Sequence, residues 1–308
     1  MPSRIAPVTI PDDFTVFAAS DLHGQLNAVD RLLARAGLTD GGATWTAPSG
    51  TALVVTGDMV DRGPDSVGLV RRLVSLREQA PSRGGLVVLL EGNHEIQLLG
   101  GLDAVPQIFR VFMTFGGAAT LLSAGMREAE WRDTSAPAIA GRFDAVAPDI
   151  TPAVWSFAPY ARWRDVLFVH GGPVPGQDLP AFEGSAQRLW IRQGFFAADD
   201  PFPGASAWSV YRRSGVERVV FGHTPVAAPT LYHDGRALNL DTWRGQIVSL
   251  ARLAGERLDD AVLDAEPVQP RAVADAPITA EQIAAIDDGL PQIVDDWWLR
   301  AKGPLREA

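Results

Sequence analysis

The chain has 308 residues, 46% hydrophobic and 21% charged, which suits one large globular domain or two small ones. A net charge of −10, a pI near 5.0 and the lack of any basic block disfavour a nucleic-acid surface. Cysteine is absent, which excludes disulfide staples and thiolate metal sites. Neither a signal-peptide core before Phe14 nor an apolar run of membrane length is present, so a soluble cytoplasmic protein is expected.

In chain order, Thr15-Val16-Phe17-Ala18-Ala19 reads as the first core strand and ends in Ser20-Asp21-Leu22-His23-Gly24. Leu26, Val29, Leu32 and Leu33 follow at helical spacing, with Gly37 as the stop. Residues 39–50 are a Gly/Thr/Pro loop. Ala52-Leu53-Val54-Val55-Thr56 then reads as a buried parallel strand, ending in Gly57-Asp58-Met59-Val60-Asp61-Arg62-Gly63. Pro64-Asp65 opens a helix carrying Val67, Val70, Leu73 and Val74, which runs to about Gln79. Another buried strand, Gly85 to Leu90, ends in Glu91-Gly92-Asn93-His94-Glu95. This alternation predicts a parallel, helix-flanked sheet, in which ligands bind at the carboxyl ends of strands.

Residues 96–164 depart from that pattern. Val105, Ile108, Phe109 and Phe112 predict a helix, Gly116-Gly117 breaks it, and a polar region with aromatics follows, so a helical insertion over one end of the sheet is expected. It serves either as a structural cap or to shape substrate access. Asp165–Val169 is the next strand and ends in His170-Gly171-Gly172; Arg218–Phe221 leads into Gly222-His223-Thr224-Pro225. Thr230–Tyr232 and Ala237–Leu240 flank a hairpin turn at His233–Arg236, and Gln246–Leu253 with Arg257–Leu263 read as a second hairpin. Residues 264–278 read as a linker. A capping box at Thr279 and Gln282 starts a helix through Ile286 that Gly289 and Pro291 break. A last helix carries Ile293, Val294, Trp297 and Trp298 on one side. The expected division is a catalytic domain over 1–263, with the insertion at 96–164, and a C-terminal extension over 264–308. The two tryptophans expose too much apolar area to stay in water, so they dock on the protein's own core, line a partner surface or form a lid.

Of the five histidines, His23, His94, His170 and His223 each follow an apolar strand-like run, whereas His233 lies in a hairpin turn. Asp21, Asp58 and Asn93 share three of those strand ends. A single histidine in such a place is usually an ordinary loop or core residue; this ordered series after successive strands is better explained by a metal site. Its nitrogen and oxygen donors suit Mn²⁺, Fe or Zn²⁺. Two such ions about 4 Å apart clamp a phosphoryl oxygen and activate a bridging hydroxide. Asp58, on the central turn, is well placed as the anionic bridge.

The series Asp21-Leu-His23, Gly57-Asp58-Met-Val-Asp61-Arg62-Gly63, Gly92-Asn93-His94-Glu95, His170-Gly-Gly and Gly222-His223-Thr resembles the calcineurin-like metallophosphoesterases, and more narrowly the bacterial members of the phosphoprotein phosphatase branch. The resemblance spans about residues 15–250. It implies an α/β fold, a four-layer α-β-β-α sandwich of two mixed sheets, with two divalent metal ions at the sheet ends. Asp21, His23 and Asp58 would hold the first metal, and Asp58, Asn93, His170 and His223 the second. The bridging hydroxide would attack phosphorus in line. His94 would protonate or stabilise the leaving oxygen, its imidazole oriented by Asp61. Arg62 would bind phosphate oxygens, and Arg192 in Leu-Trp-Ile-Arg would be a second phosphate ligand unless it is a surface or core-capping residue.

Departures from the family patterns narrow the choice. Pro225 stands where many relatives have a second histidine, and the Ser-Ala-Pro-Asn-Tyr segment of the eukaryotic enzymes has no match. Symmetric dinucleoside tetraphosphatases usually lack the acid corresponding to Asp61. The first expectation is therefore a metal-dependent phosphatase acting on phosphoprotein or small phosphoesters. The alternatives are hydrolysis of dinucleoside polyphosphates or phosphodiesters and, least favoured, a non-catalytic scaffold. No nucleic-acid or membrane partner is expected.

Overall fold

Two mixed sheets lie face to face and are flanked by helices. The computed structural model describes residues 5–132, 134–174, 177, 185–192, 214–253, 255, 257–272 and 279–302. The first half supplies β1 (Val8–Ile10), β2 (Thr15–Ala19), α1 (Leu26–Arg35), β3 (Thr51–Val55), α2 (Ser66–Gln79), β4 (Leu86–Leu89) and α3 (Asn93–Leu102). The insertion contributes α4 (Pro106–Thr114), α5 (Gly117–Ser123), α6 (Ala136–Val146), α7 (Ile150–Trp155) and the short strand β5 (Ala161–Trp163). After it come β6 (Val166–Phe168), α8 (Gln187–Trp190), β7 (Arg218–Phe221), β8 (Thr230–Tyr232), β9 (Ala237–Asn239), β10 (Ile247–Leu253), β11 (Val262–Pro267) and α9 (Ala280–Lys302).

One sheet has the order β11-β10-β2-β3-β4 and the other β1-β5-β6-β7-β9-β8. The neighbours β2, β3 and β4 are parallel, as are β6, β7 and β9. Alternation along each strand splits the core. Val16, Ala18, Ala52 and Val54 face the other sheet and pack with Trp163, Phe168 and Val220. Phe17, Ala19, Leu53 and Val55 point the other way, onto α1, α2 and the insertion helices. The first two helices bury the positions that sequence spacing assigns them: Val29, Leu32 and Leu33 on α1, and Val67, Val70 and Leu73 on α2. No helix among the described residues is long and apolar enough to cross a membrane.

Three expectations are corrected. The insertion is not helical throughout, because β5 joins the six-stranded sheet beside β6. The second strand of the last hairpin is β11, which pairs with β10 as far as Pro267 and so runs into the expected linker. Its acidic side chains find arginines on α1: Glu266 pairs with Arg31 and Arg35, and Asp264 with Arg35. Finally, α9 is one helix, with Pro291 inside it. Proline removes one helical hydrogen bond and glycine is a poor helix former, but neither ends a helix whose next turns are buried. Leu290, Val294, Trp297 and Trp298 are all buried. Trp297 stacks 5.7 Å from Trp155 and donates its indole N–H to Asp103 at 3.0 Å.

The docked tail predicts a stability role for its aromatics. Trp297→Ala is expected to cost about 3 kcal/mol, the range for truncating a buried aromatic, measured as a lower urea midpoint. A midpoint equal to that of the parent protein would show that this end of α9 is not part of the folded unit.

Candidate metal centre

Six parallel strands deliver polar residues to one end of the facing sheets. Asp21 and His23 follow β2, Asp58 follows β3, and Asn93 and His94 open α3 directly after β4. His170, His223 and Asp241 follow β6, β7 and β9. Every one of these residues is buried, none above 5% exposure, so each polar atom needs a protein partner or an ion.

The backbone is bent tightly to achieve this. Asp21, His23, Asp58, Asp61, Arg62 and His223 all have φ between 37° and 70°, a region that residues with a side chain rarely enter. Gly57 lets the turns after β3 and β4 touch: a Cβ there would lie 2.7 Å from the Gly92 backbone and 2.9 Å from His170 Nδ1. The buried Glu95 carboxylate then pins both turns. It accepts from the backbone N–H groups of Asp58 and Gly92 at 2.8 Å, Met59 at 2.7 Å and Val60 at 3.2 Å. Burial pushes Glu95 up to about 7, against the pull of those four amides.

Asp58 stands at the centre. Its carboxylate is shared by two groups of donors, one with His23 and His94 and one with His170 and His223, each with ligand atoms within 4.8 Å of one another. Asn93 Oδ1 faces His170 Nε2 at 2.8 Å and His223 Nδ1 at 2.9 Å. Because His170 Nδ1–H donates to the Thr56 carbonyl at 2.9 Å, its Nε2 carries the lone pair. That lone pair faces two acceptors, Asn93 Oδ1 and Asp58 Oδ1, the latter at 3.3 Å. His23 has the same arrangement, with Nδ1–H donating to Val60 O at 2.7 Å. Asp21 lies beside these groups, its Oδ2 accepting from Ser20 Oγ at 2.5 Å and from His223 N–H at 3.1 Å.

The electrostatics call for a cation. Burial first, then Asp21 and Glu95, hold Asp58 well above the usual carboxylate range, and burial with Asp21 does the same to Asp241. Burial keeps His23, His94 and His223 well below the ordinary imidazole value, and lowers His170. Neutral imidazoles facing acceptor oxygens, in a cluster of crowded carboxylates, are the donor set that a pair of divalent ions fits.

A second constellation borders the first. His94 Nδ1 is 2.7 Å from Asp61 Oδ2, and His94 Nε2 is 3.8 Å from Asp58 Oδ2. The guanidinium of Arg62 reaches His23 Nε2 at 2.7 Å, and Arg192 donates to the His223 carbonyl at 2.8 Å. Both arginines line one cavity with Asp21, Asp58, Asn93, His94 and His223. All the residues singled out from sequence therefore meet at one place.

Sequence reading missed several others. Thr120, on α5 of the insertion, donates to Asp61 Oδ1 at 2.6 Å and accepts the Asp61 N–H at 2.9 Å. Phe115 packs edge-on to His94, and Trp243 edge-on to His23 with its ring centroid 5.0 Å away. Asp241, in Asn-Leu-Asp-Thr after the Ala237–Leu240 run, did carry a signal, since it is one more acid at a strand end.

Residues 14–227 match the model of the calcineurin-like phosphoesterases, and the chain belongs to that family. It is 37% identical over 84 residues to Shewanella-like protein phosphatase 2 of Arabidopsis thaliana, a match covering 27% of this chain and 21% of that protein. Against a symmetrical bis(5'-nucleosyl)-tetraphosphatase of Chromohalobacter salexigens it is 27% identical over 280 residues, covering 79% of this chain and 96% of that one. The chain spans only about a quarter of the length of the first curated relatives it matches, between 21% and 25%. Among solved structures, the cold-active protein-tyrosine phosphatase of a psychrophilic Shewanella species superposes with a TM-score of 0.57 at 21% identity, covering 86% of this chain and 83% of that one. At that identity the likeness speaks for the fold.

Glu95→Ala is expected to lower stability by about 3 kcal/mol or more, because each buried amide left without an acceptor costs about 1–3 kcal/mol. Urea denaturation measures this, and an unchanged midpoint would show that the carboxylate is not what holds the two turns.

Proposed function

We propose that this chain is a phosphoester hydrolase working with two divalent metal ions, and that it acts as a phosphomonoesterase or protein phosphatase. The observation that carries the reading is the buried Asp58 carboxylate, shared by His23 and His94 on one side and His170 and His223 on the other, with His94 also held by Asp61 and two arginines in the same cavity. In this reading Asp21, His23 and Asp58 hold one ion, and Asp58, Asn93, His170 and His223 the other. When bound, the ions supply Lewis acidity toward phosphoryl oxygens and make water a competent nucleophile at neutral pH. Mn²⁺, Fe and Zn²⁺ all suit the donors.

The chain's own groups do the rest. Arg62 and Arg192 orient the phosphoryl oxygens from the cavity wall and offset their charge. His94 lines the cavity and, when its ring is protonated, gives the Nε2 proton to the departing ester oxygen; burial, which lowers its pKa, makes that imidazolium a ready donor. Asp61 fixes the ring through Nδ1 and stabilises its protonated form, and Thr120 fixes Asp61. A dinucleoside polyphosphate as substrate is the second reading. It is favoured by the similarity that extends over 96% of a symmetrical tetraphosphatase.

The test is a panel on chelated protein re-supplied with Mn²⁺, Fe²⁺ or Zn²⁺: p-nitrophenyl phosphate, its bis-ester, phosphopeptides and diadenosine tetraphosphate. Metal-restored phosphate release from monoesters is expected; release confined to the tetraphosphate would transfer the assignment to the second reading. Protein shown to hold two metals yet inert on the whole panel would overturn both and leave a scaffold.

Asp58→Ala is expected to bind neither ion by metal analysis. His94→Ala should keep both ions and lose turnover of phenyl phosphate by about a hundredfold or more. It should lose far less on p-nitrophenyl phosphate, whose leaving group needs no proton. Equal losses on the two esters would remove His94 as the acid.

Metal and pH are also linked. In the metal-free fold the raised pKa of Asp58 favours its protonated form, so that contribution to stability is lost as pH rises through the raised value. Metal needs the ionised form. The increase in melting temperature produced by Mn²⁺ should therefore grow as pH is raised from the acid side; an increment that falls with rising pH would argue against Asp58 as a ligand.

A further inference from the structure

Asn93 and His170 come from different sheets. Asn93 follows β4 of the five-stranded sheet and His170 follows β6 of the six-stranded one, yet Asn93 Oδ1 and His170 Nε2 are 2.8 Å apart. Facing sheets share no ladder of hydrogen bonds, so side chains and loops must set the spacing of their turns.

Arg188 spans that gap. It lies on α8 and is fully buried. Its guanidinium is ion-paired with the buried Glu91, two residues before Asn93, and also donates to the Ser185 carbonyl. Its main-chain carbonyl accepts the N–H of Gly171, the residue after His170, at 2.9 Å. Gly171 permits that approach, because a Cβ there would lie 2.7 Å from the Arg188 carbonyl oxygen. From outside, α9 holds α8 in place. The Trp298 ring lies 5.8 Å from the Arg188 guanidinium, and Asp295 accepts the Ala186 N–H at 2.6 Å.

One residue therefore grips the β4 turn through its side chain and the β6 turn through its backbone. The planar guanidinium fixes the direction of its partner as well as its charge. Sealed from water, neither Glu91 nor Arg188 can leave the other without a buried charge standing alone. Neither contact falls on the turn after β2, which supplies Asp21 and His23.

We propose that Arg188 is a positioning residue for the second metal ion: by bridging Glu91 and Gly171 it sets the spacing of Asn93 and His170. Uptake of the ion held by Asp21 and His23 does not depend on it. This rests on the two-metal reading above.

The experiment titrates Mn²⁺ into the metal-free parent protein, Arg188→Met and a control, Arg218→Met. The control loses a comparable ion pair, Arg218 with Asp165, at the strand ends opposite the pocket. Metal analysis at equilibrium gives the affinities of the two steps, and electron paramagnetic resonance distinguishes a spin-coupled manganese pair from isolated ions. Arg188→Met should take up its first ion within about twofold of the parent affinity. Its second ion should bind about tenfold or more weakly, the cost of losing a residue that orients a metal ligand, and the coupled signal should fade. The control should match the parent in both steps. Combining Arg188→Met with Glu91→Leu leaves no buried unpaired charge, so this double variant folds even where the single one does not. It should still bind the second ion weakly. Parent-like uptake of both ions by the double variant would overturn the proposal, since Arg188 would then serve only to neutralise Glu91. Equal weakening of both steps would overturn it as well. A parent protein that takes up a single ion would overturn the two-metal reading and this proposal with it; a parent that takes up two, matched by its variants, would overturn the proposal alone.

Discussion

One carboxylate holds two strand-end turns in register. Glu95 is fully buried and accepts from four backbone amides, three on the turn after β3 and one on the turn after β4. The turn after β3 is bent through left-handed conformations at Gly57, Asp58, Asp61 and Arg62, and it is pressed against the turn after β4 where Gly57 meets Gly92. Remove the acceptor and nothing offsets either the buried amides or the backbone strain. Asp58 could then no longer stand between the two histidine groups, nor Asp61 beside His94. The placement of Asp58, Asp61 and His94 thus depends on a residue that is not among those lining the cavity.

The same pocket is electrostatically incomplete by itself. Burial, with the charges of Asp21 and Glu95 added, holds Asp58 well above the usual carboxylate range; burial and Asp21 do the same to Asp241, and burial raises Glu95. Opposite them stand imidazoles kept neutral by burial and by nearby arginines. A core built for stability alone would not pair lone pairs with acceptor oxygens at hydrogen-bond distance. Divalent cations at this cluster would reverse each of these penalties at once, which would couple metal binding to folding.

Much of this was legible before any coordinates, and the reason is geometric. Parallel strands buried on both faces read as short apolar runs, and their ligands come immediately afterwards in sequence, as in Val54-Val55-Thr56-Gly57-Asp58. What escaped notice acts across long separations. Thr120 reaches Asp61 over 59 residues, and nothing in Ala118-Ala119-Thr120 marks it. Glu95 was visible as part of a motif, yet its acceptor role exists only once β3 and β4 are neighbours. Asp241 was passed over because the hairpin that carries it read as an antiparallel pair. In the fold, β9 also lies parallel to β7, which turns its end toward the pocket. The unbroken α9 escaped because local propensity at Gly289 and Pro291 is overridden by the burial of Leu290, Val294 and the two tryptophans.

Both segments that depart from the β-α-β alternation converge on the same acid and arginine. From the insertion, Thr120 binds Asp61, Phe115 packs on His94 and the Gly116 carbonyl takes the Arg62 N–H at 3.2 Å. From the tail, the Ala272 N–H donates to the Arg62 carbonyl. Arg62 is thus held through both its N–H and its C=O by two elements remote in sequence. At its far end the tail sets Trp298 5.8 Å from the guanidinium of Arg188, which is ion-paired with the buried Glu91 next to Gly92. The docking of α9 therefore bears on the β4 turn, and its opposite end bears on the pocket that turn helps to build.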